Sequence, residues 1–216
     1  MKTFAHVVFW IVVYGFSASA VLAGFSFSEE AEKEQAVARK ARQKTQQLLN
    51  VGCSERIKAK SIGLIIGETH SDHRVRPVSS GVYGPHFNEI NKRLKRLGLR
   101  TFTQEEIKNR IAAAEADAFL NNDPDAALQA ASRLGANFLL RGILSSRSHM
   151  NPIAHANEVF VDMSFTLTDA SGRYVSDVSA SDSSWSGQDT RSVALMIVQE
   201  QADRVVAQLY HDYCLQ

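Results

Sequence analysis

Ser61-Ile62-Gly63-Leu64-Ile65-Ile66-Gly67 is a continuous apolar run bounded by polar residues, the pattern of a strand buried on both faces. A strand of that kind belongs at the centre of a sheet with helices packed against it, which sets the fold class before any other segment is read. Downstream the period changes to 2. Val159, Val161, Met163, Phe165 and Leu167 fall on one face, with Asp162, Ser164, Thr166 and Thr168 opposite, as in a strand with one face in the core and one in water.

The segments between these two strands are helical in pattern. Glu68 to Pro85 reads as a loop, after which Phe87, Ile90, Leu94 and Leu97 share one helical face before Gly98 ends the helix. A short strand at Leu99 to Phe102 leads into Thr103-Gln104-Glu105-Glu106, a capping box that opens a helix running to about Leu120. Asp123-Pro124 starts another helix, stopped at Gly135. Strands follow at Asn137 to Ser146, Val159 to Thr168 and Tyr174 to Trp185, the last two joined by a hairpin turn at Asp169-Ala170-Ser171-Gly172. Tyr174, Val178 and Ala180 share one parity and Trp185 has the other, so either a bulge lies between Ser181 and Ser184 or Trp185 sits on the outer face. A final helix, Thr190 to Tyr213, turns Ala194, Ile197, Val198, Val205 and Leu209 inward. The expected fold is α/β (α+β), a single mixed-sheet sandwich with element order β-α-β-α-α-β-β-β-α over residues 53–216.

Two N-terminal segments precede it. Met1-Lys2 is a short basic start and Phe4 to Phe16 an apolar run too short for a comfortable membrane span, so residues 1–23 read as a signal peptide cleaved after Ala23, with Ala20 the second choice and an uncleaved anchor the alternative. Leu22-Ala23-Gly24 is followed by Phe25 instead of a lipid-bearing Cys. Residues 24–52 hold a Glu-, Lys-, Arg-, Gln- and Ala-rich helix, Ser28 to Leu49, whose thin apolar stripe suits a charged spacer.

The chain has 24 Lys plus Arg against 23 Asp plus Glu, and removal of residues 1–23 takes one lysine and leaves formal neutrality. No charge excess argues for nucleic acid. A 44% hydrophobic and 22% charged composition excludes disordered, collagenous and polytopic membrane classes. Cys53 and Cys214 are the only cysteines; export would place them in an oxidising compartment, where a Cys53–Cys214 disulfide is expected, with two separate thiols the alternative.

Leu134-Gly135-Ala136-Asn137-Phe138-Leu139-Leu140-Arg141-Gly142-Ile143-Leu144 resembles the Leu-Gly-Ala-Asp-Tyr lead-in to the third strand of a bacterial envelope superfamily, and Thr168-Asp169-Ala170-Ser171-Gly172-Arg173-Tyr174-Val175 resembles its hairpin. That superfamily includes the curli-secretion lipoprotein, the N-terminal domain of TolB, the lipoprotein activators of penicillin-binding proteins and flagellar assembly protein T. The resemblance spans about Ser61 to Leu209 in element order. It implies a non-catalytic periplasmic accessory or scaffold module, without a cofactor, that binds envelope proteins and is able to form a ring of identical subunits. Without a lipid-bearing Cys, outer-membrane or other membrane association would have to come by another route.

Several residues bear chemistry. His70, Asp72 and His73 lie within four residues at the mouth of the first strand, with His86 following; they are the candidate metal ligands, set against the reading of a solvated loop. They also define the alternative function, a periplasmic metal- or small-ligand-binding protein. Lys92, Arg93, Lys95, Arg96 and Arg100 are five cations in nine residues, a candidate contact for anionic lipid or glycan, set against a solvated helix face. Candidate partner-binding residues are Arg74 and Tyr83 in the loop, His149, Asn151 and His155 around a hairpin tip at 147–157, and Trp185. The tip histidines are either a contact tuned by protonation or simply exposed histidines. No Gly-x-Ser-x-Gly elbow, phosphate-cradling loop or His-Glu-x-x-His helix is present, and Gly81-Val82-Tyr83-Gly84 is too sparse to hold phosphate, so the sequence reads as that of a non-enzyme.

Overall fold

The computed structural model describes residues 27–69, 75–77, 84–153, 155–187 and 189–216. The chain divides into two units, residues 1–37 and residues 38–216. A helix, α1 (Phe27–Leu49), carries the charged segment, and its side chains are mostly exposed, Val37 included. The expected signal peptide lies outside the described residues. Among the described residues no helix is long and apolar enough to cross a membrane.

The larger unit is built on a six-stranded mixed sheet. After a single-turn helix α2 (Ser54–Ile57) come β1 (Ser61–Thr69), β2 (Val75–Pro77), α3 (Gly84–Arg96), β3 (Arg100–Thr101), α4 (Gln104–Arg110), α5 (Ala113–Leu120), α6 (Pro124–Leu134), β4 (Phe138–Asn151), β5 (Ala156–Asp169), β6 (Tyr174–Ser186) and α7 (Thr190–Cys214). The strand order is β2-β1-β4-β5-β6, with β3 pairing the start of β1. β1 and β4 run parallel from Ile62 opposite Phe138 to Glu68 opposite Leu144, and β4, β5 and β6 form an antiparallel meander.

The two sequence periods follow from how the sheet is covered. One face packs on α3 and α7 across its width: Leu64, Leu140, Leu144, Val161, Met163 and Phe165 are buried there with Ile197, Val198 and Val205 of α7. The other face is covered by α4, α5 and α6 over β2, β1 and β4. β1 is therefore apolar on both faces, whereas β5 buries alternate residues. Close approach accounts for two glycines. A Cβ on Gly63 would lie 2.6 Å from Leu134 Cδ1, and one on Gly142 would lie 2.7 Å from the Phe165 ring.

Asn137 joins the lead-ins of the two parallel strands. Its Oδ1 accepts from the Ser61 N–H at 2.8 Å and the Ser61 Oγ at 3.1 Å, and its own N–H donates to Ser61 O at 2.9 Å. Its carbonyl accepts from Ala170 N–H at 3.0 Å, which ties the β5–β6 turn to the same point. The capping box at Thr103 and Glu106 forms, and Asp123 caps α6 ahead of Pro124.

Four local expectations are corrected. The segment read as a loop contributes the end of β1 and the edge strand β2. The helix expected to run unbroken to Leu120 is interrupted at Ile111, which adopts extended backbone and buries its side chain in the core. β4 and β5 run through the supposed hairpin tip to Asn151 opposite Ala156, leaving a connection of residues 152–155. Lastly, the irregularity in β6 lies at Val175, opposite the Leu167–Thr168 step, so Tyr174 faces outward opposite Thr168 and loses the parity of Val178 and Ala180. From Ser176 to Ser186 the register is continuous, which places Trp185 on the outer face.

Candidate functional site

The helices that cover the outer face stop at β4, so the outward residues of β4, β5 and β6 form an open three-stranded surface. Register fixes its rows. Arg141, Thr166 and Asp177 lie side by side; then Ile143, Ser164 and Ser179; Ser145, Asp162 and Ser181; Arg147, Phe160 and Ser183; and, nearest the β4–β5 turn, His149, Glu158 and Trp185.

The rows differ in how far their polar groups are satisfied internally. Arg141 donates to Asn122 Oδ1 at 2.7 Å and Thr166 Oγ1 at 3.1 Å, and Thr166 Oγ1 donates to Asp177 Oδ1 at 3.0 Å. Burial draws the Arg141 pKa below its ordinary value, and the Asp177 charge opposes that shift. This row is a closed network. Nearer the turn the contacts loosen. The Arg147 guanidinium lies 5.2 Å from the Phe160 ring centroid and 4.0 Å from Asp162 Oδ2, while Ser183 Oγ reaches Glu158 Oε1 at 3.4 Å. Trp185 is 53% exposed beside them. Around the turn Met150 is 54% and Ile153 90% exposed, and His155 takes a left-handed φ of 48°. Exposed aromatic and aliphatic side chains interleaved with arginine are the composition of protein contact surfaces.

The sheet also ends here. β6 is a terminal strand of 13 residues, and its outer edge pairs with no other strand among the described residues. Asp177, Asp182 and the four serines Ser179, Ser181, Ser183 and Ser184 line it, and such polar, charged edges resist indiscriminate strand pairing.

Of the residues singled out in the sequence, the structure brings His149, Asn151, His155 and Trp185 to this one end of the sheet. Arg74, Tyr83 and the candidate metal ligands His70, Asp72 and His73 lie outside the described residues. Among the described residues no group of three or more His, Cys, Asp and Glu side chains is placed to hold a metal ion. His86 is buried in α3. Within the basic segment Arg93 points at its own scaffold: it bonds Glu89 Oε2 at 2.6 Å, Asp203 Oδ1 at 2.8 Å and Gln199 O at 2.9 Å, fastening α3 to α7. The hydrogen bond from Arg93, helped by its charge, keeps the Glu89 carboxyl below its ordinary pKa. Arg96 sits 3.5 Å from Asp203, and Lys92 and Lys95 are exposed. Arg147 and Phe160 belong to the surface although sequence reasoning passed over them. Phe160 makes Val159-Phe160-Val161 apolar on both parities, a signal that an aromatic stands on the polar face.

No protein-family model and no curated protein matches the chain. Solved structures similar to it include lipoprotein GNA1162 from Neisseria meningitidis, at 15% identity and a TM-score of 0.45 over 66% of this chain and 96% of that one. A PelC dodecamer from Paraburkholderia phytofirmans aligns at 16% identity and a TM-score of 0.41 over 70% of this chain and 87% of that one. The hypothetical protein CT253 from Chlamydia trachomatis aligns at 13% identity and 0.48, over 73% of this chain and 100% of that one. Likeness of this degree says nothing about what the chain binds.

Proposed function

We propose that this protein is a non-catalytic accessory or scaffold protein of a bacterial cell-envelope assembly, of the kind that serves secretion, surface fibres, flagella or wall synthesis, and that it acts by protein contact in the periplasm. The observation that carries the reading is the outer surface of β4, β5 and β6. There Arg147, Phe160 and Trp185 stand beyond the helices that cover the rest of the sheet among the described residues, with Met150 and Ile153 exposed at the adjoining turn. The superfamily resemblance in the strand lead-in and hairpin is consistent with it.

Site-specific photocrosslinking in native envelopes tests the reading. A photoreactive residue at Ser183, Trp185 or His149 is expected to give a discrete envelope-protein adduct, or an adduct with a second copy of this chain. The same probe at Leu128 on α6, an exposed position remote in the fold, is expected to give none. Equal labelling from both surfaces, or none from the sheet, refutes the assignment.

A further inference from the structure

A second surface lies at the opposite end of the sheet, where the parallel strands begin, and cations from separate segments converge on it. Lys60 Nζ, just ahead of β1, lies 5.5 Å from the Phe138 ring centroid and 5.6 Å from that of Tyr213, and donates to the Tyr213 hydroxyl at 3.1 Å. The Arg56 guanidinium in α2 lies 5.1 Å from the same Tyr213 ring and donates to the Cys214 carbonyl at 3.2 Å. Arg100 in β3 donates its N–H to the Lys60 carbonyl at 2.8 Å. Its guanidinium and that of Arg110 in α4 each lie 5.6 Å from the Phe102 ring centroid. An aromatic ring attracts a cation without neutralising it, so these charges are held in place and keep their full value.

Carboxylates do not cancel them. Among the described residues none of these cations forms an ion pair with an acidic side chain, unlike Arg93 and Arg96 on α3. Glu55 on α2 faces Lys58 at 3.5 Å. Glu106 on α4 is committed to the capping box: hydrogen bonds from the Thr103 backbone and side chain hold its carboxyl below the ordinary pKa, and the charges of Arg110 and Lys95 add to them. Lys95 therefore belongs to the same surface. On α2 and α4 that leaves Glu105 as the unmatched carboxylate among the described residues. In a chain whose acidic and basic residues balance, the charge here is segregated. Apolar groups stand among the cations: Leu97 and Leu99 are half-buried, and Leu215, next to Cys214, is 69% exposed.

We propose that this end of the domain docks on a bilayer surface bearing anionic phospholipid, with Arg56, Lys60, Arg100 and Arg110 against the headgroup phosphates and Leu215 in the interface. Attraction of cations to anionic headgroups and burial of interleaved apolar side chains add at such a surface. An acidic polysaccharide fits less well, because Phe102, Phe138 and Tyr213 each carry a cation over the ring where a sugar would stack. Docked this way, β4 leads away from the bilayer, from Phe138 at the patch to Met150 at the far end, and turns the surface around Arg147, Phe160 and Trp185 toward other proteins.

Flotation of the protein with vesicles of phosphatidylcholine, alone or mixed with phosphatidylglycerol, tests this. Binding to the neutral vesicles is the baseline and absorbs any contribution from residues 1–23. The expected result is binding to the anionic vesicles above that baseline, falling as salt is raised. One cation at an anionic surface is worth about fivefold in partitioning, so Arg110→Gln is expected to weaken binding about fivefold and Arg100→Gln, Arg110→Gln about 25-fold. Arg191→Gln removes one charge from the end of α7 remote from Cys214 and is expected to change binding by less than about twofold. A photoreactive residue at Leu215, which needs no charge removed, is expected to label phosphatidylglycerol, and one at Ser183 is not. No preference for the anionic vesicles, an equal loss from Arg191→Gln and Arg110→Gln, or no lipid adduct from Leu215 overturns the proposal. Binding to alginate without binding to anionic vesicles assigns the cations to an acidic glycan and refutes the bilayer. None of these outcomes decides whether probes at Ser183 or His149 capture an envelope protein.

Discussion

Loss of the Cys53–Cys214 bond is expected to be the largest single blow to stability that leaves the core side chains untouched. The bond spans 161 residues, nearly the whole folded unit, so almost every unfolded conformation is constrained by it. The loop-entropy relation gives about 5 kcal/mol for a loop of that length. Residual structure and altered solvation of the unfolded chain reduce the value realised to about 2 to 5 kcal/mol. The native state loses little, because Cys53 packs against Ile57 and Tyr210 through its Cβ and sulfur. Urea unfolding of the oxidised protein, the reduced protein and a Cys53→Ala, Cys214→Ala variant separates these contributions. The reduced protein and the double variant are expected to agree within about 1 kcal/mol and to lie about 2 to 5 kcal/mol below the oxidised protein. Their m-values are expected to rise because an uncrosslinked chain exposes more surface. For a domain of this size each kcal/mol corresponds to roughly 2 to 4 °C in melting temperature. A loss below about 1 kcal/mol in both forms would refute the reasoning, since the bond would then not be restricting the unfolded chain.

Gly142→Ala places a methyl 2.7 Å from the fully buried Phe165 ring, and calorimetry is expected to show a loss of about 1 to 3 kcal/mol from forced repacking. Asn137→Ala leaves the Ser61 N–H and hydroxyl without the Oδ1 acceptor, so denaturant unfolding is expected to show a loss of about 1 to 3 kcal/mol. Asp169 supplies a pH test. Burial raises its pKa, but bonds from the Ser171 hydroxyl and the N–H groups of Arg173 and Ser171, with the Arg173 charge, outweigh burial and hold it below 3.8. Its carboxylate therefore stabilises the fold fully above the unfolded pKa and loses that contribution as pH falls through the folded value. The stability gap between the protein and Asp169→Asn is expected to stay constant from neutral pH to about pH 5 and to close below the ordinary carboxylate range; a gap that widens on acidification contradicts the sign. The triple variant Met150→Ser, Ile153→Ser, Trp185→Ser alters only exposed groups, so its unfolding free energy is expected to change by less than about 0.5 kcal/mol per site while the crosslinks from probes at Ser183 and His149 disappear.

Legibility in the sequence tracked burial. β1 and β5 stood out because burial on two faces and on one face imprint different periods, and α7 because its inward residues keep a helical spacing. Beyond Leu144 neither face of β4 is deeply buried, so Ser145-Ser146-Arg147-Ser148-His149 carries no hydrophobic rhythm and reads as the approach to a loop. The same silence hid that β4 runs on to Asn151, although the tip itself was legible as a polar break flanked by His149 and His155. Ile111 shows a different failure. It breaks the helix without Gly or Pro because a core position for its side chain outweighs helix continuity, and that preference belongs to tertiary packing. The bulge at Val175 likewise arises from pairing, and one extra residue there was enough to send Tyr174 to the wrong face on paper. Ile57, Leu97 and Leu99, Phe138, and Tyr210 with Tyr213 come from four separate segments to line one apolar cleft, a convergence no local pattern encodes.

The exposed surface is a consequence of element lengths. Strands of 14 residues reach about 47 Å. The longest helix on the outer face, α6 with 11 residues, reaches about 16 Å, and even α7 with 25 residues reaches only about 37 Å. No single helix among α3 to α7 spans the meander from end to end. A chain under pressure only to fold would shorten the meander to the length its helices protect, because uncovered strand adds backbone ordering cost and little apolar burial. This chain instead carries β4, β5 and β6 past that limit and places Phe160, Trp185, Met150 and Ile153 along or at the end of the overhang. Residues that the fold does not need, held on strands longer than the fold can cover, are the physical reason to locate the protein's work there.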